Sequence, residues 1–187
     1  MKTYDYNLDK AKTLLLKAGF KYNSKNELID AEGYRVRFTL ITNAENKIRE
    51  ALGAQIKRDL SKIGIQIDFN PMAFNAVIEK LTNSKQWDLL LLGFRGGGVE
   101  PNSSFNIWAA EGALHQFNKG PNPGEPPIKG WEVSDWERKI SDLYIQGSQE
   151  LNDPKRKAIY AEAQQLIQEN LPFIYLITPI SFEAVRD

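Results

Sequence analysis

The sequence contains no cysteine and only one histidine, His115. Without thiols there is no disulfide, no thiolate nucleophile and no zinc–thiolate site. One imidazole cannot build a multi-histidine metal centre, and a Ser–His dyad would have to use His115. The lack of cysteine does not assign a compartment, because many exported proteins also do without it. Long apolar runs are missing too. No stretch reaches the about 18 consecutive apolar residues that a membrane-spanning helix needs. Met1–Asp9 is polar and does not read as a signal peptide, so any export signal is expected outside this sequence. Neither sign of charge dominates: 24 Lys and Arg balance 24 Asp and Glu. No run of five or six like charges occurs, which argues against a nucleic-acid partner. No G-x-S-x-G nucleophile motif is present, and no Gly-Lys-Ser/Thr follows the glycine cluster at Gly96–Gly98.

What is present is an alternation of helix and strand patterns. Leu8, Ala11, Leu15 and Ala18 recur at helical spacing, with Asn7 as a cap and Gly19 as a stop. Leu28–Ala31 and Tyr34–Phe38 flank Glu32-Gly33, a tight hairpin turn. Val36–Thr42 alternates as a strand. Glu45–Ile63 is the clearest helix, with Leu52, Ile56, Leu60 and Ile63 on one face. Ile65–Phe69 is the next strand, so these segments read as a βαβ unit with parallel strands. Ala73–Thr82 predicts another helix. The continuous apolar run Trp87–Gly93 predicts a central strand buried on both faces. Ser103–Ala110 predicts a short helix, and Glu111–Gly130 a long surface loop in which His115 is a surface residue. Ser134 and Glu137 form a capping box opening one helix, and Asp153-Pro154 caps and opens the next. Trp131 and Trp136 are expected to pack around these helices. Phe173–Thr178 and Ile180–Val185 predict two final strands. The pattern is that of one α/β domain with a mixed sheet flanked by helices.

Four stretches carry a resemblance when taken in order. They are Tyr6–Lys12 through Leu15 and Ala18-Gly19-Phe20, the step Leu60-Ser61-Lys62-Ile63-Gly64-Ile65, the strand Trp87-Asp88 to Gly93-Phe94 with Glu100-Pro101, and Asp153-Pro154 through Arg156, Tyr160 and Gln164 to Leu171-Pro172. Together, from about Tyr6 to Val185, the chain resembles the C-terminal lobe of the family 5 extracellular solute-binding proteins, the oligopeptide, dipeptide and nickel-binding group. The resemblance implies a periplasmic binding protein-like lobe, with residues 1–187 as one lobe and its companion outside this sequence. It implies capture of a small solute or peptide for an ABC importer, without catalysis or cofactor. It further implies a monomer that meets its permease outside the cytoplasmic membrane, periplasmic or extracellular, with a lipid anchor as the other route to the membrane.

The residues and the resemblance together nominate a site. Ligands of open α/β sheets sit beyond the carboxyl ends of strands, and Phe94–Pro101 follows such a strand. Gly96, Gly97 and Gly98 would let the backbone approach a ligand, or would simply form a turn. Phe94 and Phe74 stand where the family usually has tryptophan; each could wall a ligand or pack in a core. Arg95 could pair with an anionic group or stay solvated. Asn43 could face the cleft or cap the following helix, and Trp108 could line the same cleft. Peptide-binding members place an aspartate where this sequence has Gly97, so the group that pairs with a peptide amine is missing. Two other readings remain open from the residues alone: a hydrolase using paired carboxylates, and a cell-envelope binding adaptor.

Overall fold

The computed structural model describes residues 4–94 and 99–177. They divide into two compact units, within Tyr4–Arg95 and within Gly96–Asp187. Arg95, Gly96, Gly97 and Gly98, and the final strand proposed at Ile180–Val185, lie outside the described residues.

The first unit is α/β. Helix α1 (Leu8–Lys17) opens with the Asn7 carboxamide accepting from the Lys10 amide at 2.8 Å. The chain then leaves the helix through Gly19 at φ +95°, a conformation that suits glycine. Strands β1 (Lys21–Tyr22) and β2 (Leu28–Ile29) form an antiparallel ribbon, and Ile29 bridges Arg35 across the turn read at Glu32-Gly33. β3 (Arg37–Asn43), α2 (Lys47–Ser61) and β4 (Gln66–Met72) form the anticipated βαβ unit, with β3 and β4 parallel in register from Arg37–Gln66 to Asn43–Met72. Leu52, Ile56 and Leu60 of α2 pack on Leu40, Ile67 and Leu91. Each such side chain withdrawn from water contributes roughly 1.5–3 kcal/mol.

Beyond β4, α3 (Phe74–Glu79) runs into one wider turn, closed by the Lys85 amide donating to the Lys80 carbonyl at 2.8 Å. The leucine run contributes β5 (Leu89–Leu90), which among the described residues pairs in parallel with β3 and with no other strand. Strand order is β4-β3-β5, so β3 is the central strand of the three and the leucine run lies beside it. Side chains complete the seam on both sides of β5. The Asp88 carboxylate accepts from the Thr39 amide at 2.7 Å, and the buried Thr42 hydroxyl donates to the Leu91 carbonyl at 2.7 Å.

The second unit is helical among its described residues. A 3₁₀ turn at Pro101–Ser104 leads into α4 (Phe105–Trp108), and after the long loop come α5 (Asp135–Gln149) and α6 (Asp153–Asn170). The Ser134–Glu137 capping box is formed. The cap of α6 is Asn152, not Asp153: its side chain accepts from the Lys155 amide at 3.1 Å, which moves Asp153-Pro154 into the first turn. Ile140, Leu143 and Tyr144 of α5 meet Tyr160, Ala163 and Ile167 of α6. Residues 173–177 form no strand. Their side chains from Ile174 to Ile177 are largely exposed, and β propensity without a neighbouring edge to bond forms no ladder.

Candidate functional site

A hydrogen-bonded set of polar groups sits where β3 and β4 end and the chain leaves β5. Asn43, the last residue of β3, is only 7% exposed, and both ends of its carboxamide are occupied. Its amide donates to Glu45 Oε2 at 3.1 Å, and its carbonyl oxygen accepts from Arg49 Nη1 at 2.7 Å. The second Glu45 oxygen accepts from the Phe74 backbone amide at 3.0 Å. Glu45 therefore ties the end of β3 to the start of α3. The Phe74 amide bond lowers the Glu45 carboxyl pKa most, with smaller help from its own backbone amide, Asn43 and Lys47. The helix-capping role considered for Asn43 belongs to Asn46, whose side chain accepts from the Arg49 amide at 3.0 Å.

Arg49 is half-buried and makes no ion pair among the described residues. A Cβ built on Gly93 would lie 3.2 Å from Arg49 Nη2, so the glycine leaves room for the guanidinium beside the chain that exits β5. Phe74 is 46% exposed and Phe94 52%, so neither is a core aromatic. The arrangement is a set of fixed hydrogen-bonding groups and a guanidinium, with two exposed rings on the segments that leave β4 and β5. Such a set can hold a polar solute by hydrogen bonds and cover its apolar parts. Along α2 runs a shallow depression of about 530 Å³, lined by Lys47, Ile48, Ala51, Leu52, Gln55 and Arg58.

Of the nominated residues, Asn43, Phe74 and Phe94 fall in this unit. Trp108 falls in the other, where its ring meets Phe117 at 6.2 Å and Phe173 at 5.5 Å between centroids. Glu45 and Arg49 were not nominated from sequence. A helix-start acid and an arginine three residues past the cap look like ordinary surface charges until Asn43 is placed between them. Among the described residues no cluster of His, Asp or Glu is poised to hold a metal.

His115 is not a surface residue. It is 1% exposed, its ring tilted against Phe117 at 4.0 Å between centroids, with Nε2 3.0 Å from Glu137 Oε1 and Nδ1 3.2 Å from the Ile107 carbonyl. Burial pushes the Glu137 carboxyl pKa up, but bonds from the Ser134 hydroxyl and amide, Asn118 and His115 outweigh it, and the net shift is downward. Glu137 thus caps α5 and also anchors the loop that carries His115.

Residues 1–115 match the model of the bacterial extracellular solute-binding proteins, family 5, middle region. A Deinococcus radiodurans protein named "Probable ABC transporter-binding protein" is 32% identical over 94% of this chain, which spans 30% of that protein. The oligopeptide-binding protein AppA of Bacillus subtilis is 26% identical over 98% of this chain, which spans 31% of it. Among solved structures, MelB of Agrobacterium fabrum in complex with stachyose superposes with a TM-score of 0.75 at 18% identity, over 91% of this chain and 25% of that one. The chain therefore spans about a third or less of these proteins. It belongs to the bacterial extracellular solute-binding proteins of family 5.

Proposed function

We propose that this chain is part of the capture component of an ABC importer, and that residues 1–187 supply one lobe of a clamp closing on a small solute. The observation that carries this reading is the hydrogen-bonded set of Asn43, Glu45 and Arg49 at the carboxyl end of a parallel sheet, with half-exposed Phe74 and Phe94 on the segments that leave β4 and β5. Open α/β sheets bind ligands at that end. Arg95, Gly96, Gly97 and Gly98 follow Phe94 directly and belong to the same proposed loop. The companion lobe supplies the rest of the site, a permease is the partner, and the protein works as a monomer in the periplasm or outside the cell, free or lipid-anchored. No turnover is part of this reading.

Relatives and fold neighbours leave the solute class open: AppA is named for oligopeptides, whereas MelB was solved with stachyose. Gly97, in place of an acid, favours a solute without a free amine over a peptide. The test uses the full-length protein. Thermal shift and calorimetry against peptides, sugars and opines should give a saturable ligand that is recovered unchanged. Phe94→Ala should weaken it about tenfold or more, since a stacked aromatic contact of about 1.4 kcal/mol corresponds to that factor. Chemical conversion of the ligand, or binding unaffected by both Phe94→Ala and Phe74→Ala, would overturn the assignment.

A further inference from the structure

A second concavity of about 370 Å³ lies at the opposite end of the sheet, where β4 begins. It is lined by Lys25, Glu27, Arg35, Lys57 and Ser61, whose hydroxyl donates to the Arg58 carbonyl at 2.7 Å, and by residues 64–68. The two carboxylates at this place are already committed. Glu27 takes Arg35 Nη1 on one oxygen at 3.0 Å and Asn23 Nδ2 on the other at 2.8 Å. Asp68 pairs with Arg37 through one oxygen and accepts from Gln66 Nε2 at 3.1 Å through the other. The cations are not all committed. Lys25 and Lys57 make no ion pair among the described residues, although Lys57 lies within Coulomb reach of Asp68. Arg35 spends one nitrogen on Glu27 and keeps further N–H donors.

The scaffold beneath these groups is fixed. The Leu28 amide donates to the Gly64 carbonyl at 2.9 Å, and the Tyr22 hydroxyl donates to the Ile63 carbonyl at 2.9 Å. A Cβ on Gly64 would stand 2.8 Å from the Asn26 carbonyl oxygen, so the turn carrying Lys25 is pressed onto the link after α2. Cationic residues from the β1–β2 turn, the strand approach and α2 therefore line one hollow. A planar carboxylate uses few donors in one plane, whereas a tetrahedral phosphate uses several around it.

We propose that this hollow binds a phosphate group, separate from the solute site at the other end of the strands. Either a free phosphorylated compound or a lipid headgroup offers that chemistry. The full-length protein is titrated with inorganic phosphate at low salt and, in parallel, sedimented with phosphatidylglycerol or phosphatidylcholine vesicles. Phosphate binding that falls about tenfold in Lys25→Gln/Lys57→Gln, with no preference for phosphatidylglycerol, supports the site and assigns a free phosphate. Retention on phosphatidylglycerol alone, lost in the same variant, supports it and assigns a headgroup. Both Lys25 and Lys57 are exposed, so the variant should keep the parent melting temperature. Glu27→Gln releases Arg35 and should strengthen binding. No binding of either probe, or binding unchanged in the double-lysine variant, overturns the proposal whatever the outcome at the solute site.

Discussion

Residues 4–94 set buried Asn43 at a sheet end against exposed Glu45 and half-buried Arg49, whereas residues 99–177 close their acid and imidazole together inside a core. Around Asn43, each polar group has a partner, and Phe74 and Phe94 are about half exposed. Around Glu137, the acid and His115 are each 1% exposed, and the bonds to His115 and Asn118 hold a loop against α5 while those from Ser134 cap the helix. The same residue types thus do different work. A polar cluster at a surface with exposed aromatics can trade its partners for a ligand, whereas one closed inside a core cannot without unfolding its surroundings.

That contrast sets an order of expected effects. Glu137→Ala should be the most damaging, because it removes the shared acceptor of His115, Asn118 and the Ser134 amide and hydroxyl; with each buried group left unsatisfied costing about 1–3 kcal/mol, denaturant melts should show a loss of about 3–5 kcal/mol. The acid dependence has a definite sign. Because the folded Glu137 pKa is lowered, its contribution is complete above the ordinary glutamate value and is lost as pH falls through the lowered one. Stability measured against pH should therefore have an acid limb that Glu137→Ala flattens. Gly147→Ala comes next. A Cβ there would stand 2.6 Å from the ring of buried Tyr160, and overpacking of this kind costs about 1–3 kcal/mol.

Phe94→Ala should shift stability by no more than about 0.5 kcal/mol while weakening solute binding by the full-length protein. A large stability loss instead would erase the distinction between the two regions. The smallest effect is a gain. Leu171 ends α6 at φ 47°, where a leucine side chain is strained, and Leu171→Asn should raise stability by up to about 1 kcal/mol in thermal melts.

Much of this fold is written locally. The apolar stripe Leu52–Ile56–Leu60, the Asn7 cap, the Gly19 stop and the Ser134–Glu137 box each need only near neighbours, so spacing reveals them. The four stretches from Tyr6 to Pro172 likewise carried the family. The errors came where a residue's role is set by partners distant in sequence. The leucine run reports burial but not position in a sheet, and pairing put β3 in the centre. Ile174–Ile177 has strand composition, yet a strand exists only through an edge it can bond. His115 sits in a polar loop, and Glu137, 22 residues on, is what draws it into the interior. Arg49 and Glu45 became site candidates only when Asn43 closed the gap between them. Sequence by itself determined the elements and the lineage, because periodicity and caps act over one or two turns. Tertiary structure decided which polar groups meet, because burial and hydrogen bonding are properties of neighbours in space.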